Sequence, residues 1–160
     1  METIAPRPSS VTTVLAWVAL GILALGVIGA EAVLVQSARS MALVYPEFAN
    51  LEAPLVFAAI AFGVCVEAVL VITGLLVWAI SRGRIFDPFA LRLVDALVAA
   101  LGVATLVVAS TLPLLPGPPA LVLGVFGGVI AGIAVALVVL VLRSLLRQAS
   151  MMRLELDEVV

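Results

Sequence analysis

Four stretches of the chain run for about twenty residues or more with hardly a polar side chain, and each is bounded by arginine, acid or proline. They extend from Val11 to Ala32, from Pro54 to Ile80, from about Leu93 to Leu112 and from Ala120 to Leu142, and none contains an arginine. A hydrocarbon core of about 30 Å takes about 20 mostly apolar residues as α-helix, so the pattern predicts four membrane-spanning helices. Punctuation refines the bounds. Asp87-Pro88 offers an N-cap acceptor followed by proline at the first helical position, which starts the third helix at 88. No proline interrupts the chain after Pro119, which carries the fourth helix to about 158. The expected helices are therefore 11–32, 54–80, 88–112 and 120–158, in one integral membrane domain spanning 1–160.

Flanking charge gives an orientation. Arg7, Arg82, Arg84, Arg92, Arg143, Arg147 and Arg153 fall on one side of the four spans, and only Arg39 falls on the other. Arginine is retained on the cytoplasmic side, so both termini are expected there. The fold class is then all-α, a four-helix transmembrane bundle with the fourth helix extended into the cytosol over 143–158. The alternative of a cleaved leader rests on Ala30-Glu31-Ala32, a small-x-small site. The apolar stretch before it exceeds the 7–15 residues usual for such leaders, which favours a retained helix.

Composition narrows the classes. The chain is 65% hydrophobic and 11% charged, with mean hydropathy +1.37, which excludes a soluble globular domain and a disordered one. The net charge is −2 and there is no basic stripe, so direct nucleic-acid binding is not expected. Histidine and lysine are absent. That removes the ordinary triad base, imidazole metal sites, Schiff-base chemistry and the phosphate-loop lysine. A membrane aspartyl dyad is also disfavoured, because Asp95 is expected near the cytoplasmic face and Glu67 at mid-depth. The chain reads as non-enzymatic, without catalytic, cofactor or metal residues. Cys65 reads as a small apolar residue.

Glu67 is the conspicuous side chain. It falls in the middle of the second span, where an acid costs roughly 2.5–3.5 kcal/mol on insertion scales. Fifteen Leu, Ile, Val and Phe residues between Pro54 and Ile80 outweigh that. Gly63, Glu67, Gly74 and Trp78 share one helical face, so the carboxyl is expected to point into the bundle, protonated or hydrogen-bonded to a neighbouring helix. The functional alternative is a proton or cation relay in a small proton-coupled transporter or channel. Against it stands the lack of a second polar partner at that depth.

Other signals concern contacts. Ala120, Gly124, Gly128, Gly132 and Ala136 recur every four residues, as do Ala96, Ala100 and Ala104, a pattern that serves helix packing within one chain or a homo-oligomer seam. The loop from Glu31 to Ala53 carries Glu31, Glu47 and Glu52 and reads as the one external feature large enough to bind a cation or basic partner, with solvated loop acids as the commoner explanation. Pro113 to Pro119 reads as a tight external turn. Arg82, Arg84, Arg143 and Arg147 are placed to meet anionic lipid headgroups. Beyond the membrane, Leu142, Leu145, Ala149, Met152, Leu156 and Val159 repeat at spacings of three and four, a docking stripe with Leu145, Met152 and Leu156 as anchors for a cytoplasmic protein or a second copy. The alternative is a helix lying on the bilayer or covering its own bundle.

Arg-Gly-Arg-Ile-Phe-Asp-Pro-Phe-Ala-Leu-Arg-Leu-Val-Asp, from Arg82 to Asp95, resembles the cytoplasmic loop of the bacterial membrane-protein family called domain of unknown function 2975. Leu145 to Ala149 and Glu155 to Val160 resemble its C-terminal signature, and Tyr45-Pro46 also fits. The resemblance implies a four-helix protein of a bacterial inner (cytoplasmic) membrane with no assigned activity and no catalytic residues. Members are often encoded beside a small helix-turn-helix regulator, which implies a regulatory pairing by association only. Together these signals favour a regulatory or partner-binding membrane module acting through its C-terminal helix.

Overall fold

The computed structural model describes residues 10–83, 88–114 and 119–157. Four helices follow in chain order: α1 Ser10–Val44, α2 Ala49–Ser81, α3 Pro88–Thr111 and α4 Pro119–Asp157. Short 3-10 turns occupy Pro46–Phe48 and Leu112–Leu114. All four helices are long and apolar enough to cross a membrane. The chain is thus an all-helical, multi-pass membrane protein among its described residues.

α3 opens at Pro88 as the proline signal places it, and α4 opens at Pro119, one residue before its expected start at 120. Both are positions where a missing N–H leaves no bond unmade. Asp87, the expected cap, lies outside the described residues, as do Arg7, Arg84, the turn core 115–118 and Glu158. α2 begins five residues earlier than expected and carries Pro54 inside its second turn.

α1 is the large correction. It was expected to stop at Ala32 and instead continues to Val44, so the loop expected from Glu31 to Ala53 shrinks to a tight turn. A charged residue after an apolar run is not by itself the end of a helix. Nothing between Ala32 and Val44 breaks one, and Gln36, Ser37, Arg39 and Ser40 are all tolerated in helices. The stop comes at Tyr45-Pro46: Tyr45 N–H donates to the Met41 carbonyl at 2.9 Å, and Tyr45 then turns to φ −125°, ψ 80° ahead of the proline. Glu47 and Glu52 sit in the first turns of the 3-10 segment and of α2, where acids complement the positive helix end. Glu31 lies in mid-helix.

The helices pack in a row, with extensive contact between α1 and α2, α2 and α3, and α3 and α4 among the described residues. Among the described residues the buried apolar side chains Ala79, Ala90, Leu93, Val94 and Ala104 all belong to the central pair α2 and α3. α2 is closed by Gly83, whose φ of +70° is the left-handed cap conformation that glycine adopts without strain. Its N–H donates to the Ile80 carbonyl at 3.0 Å. Between the proline-containing ends, Leu34, Phe62, Val107 and Val125 from the four helices border an apolar cleft of about 420 Å³.

Candidate functional site

The site begins with the seam along which α1 meets α2. On α1 the half-buried positions include Leu20, Ala24, Val27, Glu31, Val35 and Ala38, at spacings of three and four that keep one face on a neighbouring helix. Glu31 is one of these positions. On α2 the buried glycines Gly63 and Gly74 make room for long side chains of α1. The Trp17 ring lies 3.3 Å from where a Cβ on Gly74 would stand, and the Glu31 carboxylate occupies the space a Cβ on Gly63 would need. These two pairings fix the helices as antiparallel.

Glu67 lies one turn beyond Gly63 on α2, about 6 Å along the axis. Glu31 Oε1 and Glu67 Oε1 are both shielded from the surface, and neither has a hydrogen-bond partner among the described residues. Glu67 is therefore not the lone acid at its depth that the sequence led us to expect, and the hydrogen bond expected of it is not made at that oxygen. Two carboxyls share one interface inside the apolar span. Along α1 the arginine is Arg39, eight residues and about 12 Å from Glu31; along α2 it is Arg82, fifteen residues and about 22 Å from Glu67. Buried polar groups without partners are uncommon in folded proteins and call for a physical reason.

Next to Glu67 the seam opens into a cavity of about 280 Å³, lined by Trp17, Leu20 and Ala24 of α1 and by Glu67, Val71 and Gly74 of α2. It combines an aromatic wall, apolar sides and one carboxyl. Among the described residues no three side chains of metal-binding type come together.

The seam between α3 and α4 is built on the same plan and charged differently. Gly132 of α4 receives Thr105 of α3, whose Cγ2 would lie 3.3 Å from an added Cβ and whose hydroxyl donates to its own Leu101 carbonyl at 2.8 Å. The four-residue stripe is split. Gly132 packs on α3, while Gly124 and Gly128 have nothing within 4 Å of an added Cβ. On α3, Ala104 is buried, Ala100 half-buried and Ala96 exposed.

Where α4 leaves α3, the Arg143 guanidinium grips Asp95 with two bonds, Nη2 donating to Oδ2 at 2.9 Å and Nε facing Oδ1. Arg143, placed by sequence against lipid headgroups, is thus engaged by an acid of the neighbouring helix. Arg82 stacks on Trp78, 5.4 Å from the ring centre, at the Arg-rich end of α2. The face of α4 turned to α3 runs through Val139, Arg143 and Leu146, which leaves Leu142 and Leu145 on the outer side, 52% and 54% exposed. Met152 and Leu156 lie on the helical path of α4, but their side chains are outside what the structure describes.

No curated protein and no solved structure matches the chain significantly. A family model does match, over residues 36–160, a stretch that includes Glu67, Asp95 and Arg143 and leaves Trp17 and Glu31 before it. The four apolar helices and this match over most of the length make the chain a member of the membrane-helix family described as Protein of unknown function (DUF2975).

Proposed function

We propose that the chain is a non-enzymatic regulatory or partner-binding module of a bacterial cytoplasmic membrane, with both termini inside, acting through the C-terminal end of α4. The observation that carries this reading is the direction of Leu145. α4 is one unbroken helix of 39 residues, about 58 Å long against a hydrocarbon core of about 30 Å, so much of it extends beyond the apolar layer. The Arg143–Asp95 pair ties it to α3 where it departs, and from there Leu142 and Leu145 face away from the chain's own helices. Leu142 and Leu145, which open the stripe, do not cover the bundle, and a stripe that starts so is suited to dock a cytoplasmic protein or a second copy. Replacing Leu145, Met152 and Leu156 together with Ser is expected to abolish cross-linking to that partner in the native membrane while leaving insertion intact. Unchanged cross-linking in the triple variant contradicts the reading.

A second reading, a small proton-coupled transporter or channel using Glu67, is favoured by one observation, the presence of Glu31 in the same interface. An intramembrane acid with a second acid one turn away has the partner that a relay requires. Glu67→Gln is then expected to abolish proton-coupled flux in proteoliposomes with expression and folding unchanged. Loss of folding instead of flux assigns Glu67 to packing.

A further inference from the structure

The cavity beside Glu67 has a chemistry of its own. Its walls are hydrocarbon, one side is the Trp17 ring, and its polar group is a carboxyl whose Oε1 is shielded and unpartnered. An ionised carboxylate at this depth needs a counter-charge, and the arginines of α1 and α2 stand about 12 and 22 Å away from the two acids along their helices. An anion would find no positive group in the lining. A hydrated inorganic cation would find one carboxyl and hydrocarbon where it needs several oxygen ligands. What matches apolar walls, an aromatic face and one negative group is an organic cation carrying its charge on a hydrophobic frame.

We propose that the α1–α2 cavity is a binding site for hydrophobic organic cations, with Glu67 as the counter-charge and Trp17 as the aromatic wall. Gly74 is part of the construction, because its missing side chain lets the Trp17 ring lie against α2. Glu31, one turn away over Gly63, is a second carboxyl beside the cavity and does not line it. α1 packs on α2 alone to any large extent, so the cavity lies at the flank of the row, where a membrane-dissolved ligand can enter sideways. The proposal shares with the transporter reading the premise that Glu67 is a working carboxylate. It is independent of the docking of α4.

The test uses the full chain in lipid nanodiscs, with Trp78→Phe leaving Trp17 as the single tryptophan reporter. Tetraphenylphosphonium is titrated, and tetraphenylborate serves as the control of the same shape and opposite charge. The expected result is a saturable change in Trp17 fluorescence with the cation and none with the anion. In equilibrium dialysis on the unaltered background, Glu67→Gln is expected to weaken binding at least about tenfold. Trp17→Leu should weaken it about two- to fivefold, and Glu31→Gln less than Glu67→Gln. Equal binding of the two probes, or undiminished binding by a folded Glu67→Gln chain, overturns the proposal. If Glu67→Gln fails to fold, the comparison of probes on the unaltered chain and the Trp17→Leu variant still decide it. Saturable binding without flux in proteoliposomes leaves the site standing and removes the transporter reading.

Discussion

In the α3–α4 hairpin a glycine receives a threonine whose hydroxyl is already satisfied within its own helix, and the acid Asp95 sits at the rim against Arg143. In the α1–α2 hairpin a glycine receives a glutamate, a second glutamate follows one turn on, and each has an oxygen with neither solvent nor partner. The backbone solution is the same in both: a missing side chain on one helix admits a larger one from the other. The electrostatic solution is opposite. A partly exposed, paired acid at the membrane edge is ordinary structural furniture, worth little and easily replaced. Two unpaired acids within the span oppose insertion, and stability alone gives no reason to keep them. The difference sets one paired, exposed acid in α3–α4 against two shielded acids without a hydrogen-bond partner in α1–α2.

Substitutions can break this comparison. Gly132→Ala is expected to be the most damaging of the small changes, about 1–3 kcal/mol, because the new methyl meets the short, β-branched Thr105, which has few ways to move. Gly63→Ala should cost less, since the obstacle is the far end of the flexible Glu31 side chain. Gly128→Ala, with open space around it, should stay within about 0.5 kcal/mol. Reversible unfolding in mixed micelles measures all three, and a larger loss at Gly63 than at Gly132 reverses the assignment of the stiff interface. Arg143→Gln is also expected to have a small effect. With Arg143 32% and Asp95 47% exposed, the pair is expected to contribute about 0.2–1 kcal/mol, decreasing with salt. A double-mutant cycle with Asp95→Asn checks it, and a salt-independent coupling contradicts the rim placement.

Much of the architecture was legible in the sequence, because hydrocarbon thickness and proline are strong constraints. They set four spans, the start of α3 at Pro88 and the start of α4 to within one residue of Pro119. Glu67 stood out by its depth alone. Glu31 did not, because a charge after twenty apolar residues looks like the exit from the membrane, whereas here the stop is written only at Pro46. The signal was present in two forms: Glu31 continues the three-four spacing of Ala24 and Val27, and it lies as far before Glu47, 16 residues, as Gly63 lies after it. Hairpin symmetry would also have paired Asp95 with Arg143, each 24 residues from Pro119. The cavity was not legible, since it depends on how far Trp17 leans across Gly74.

The central claim, that Glu31 belongs to the membrane interface and not to an external loop, is tested most directly by chemical access. With Cys65→Ala as background, Glu31→Cys and Glu47→Cys chains in sealed, oriented vesicles are exposed on the Tyr45-Pro46 side to a membrane-impermeant maleimide. Glu47→Cys, at an exposed position of the turn, should label rapidly, and Glu31→Cys, shielded in the seam about three and a half helical turns from the end of α1, should remain unlabelled. Labelling of both at the same rate would return Glu31 to the aqueous loop and contradict the paired carboxyls.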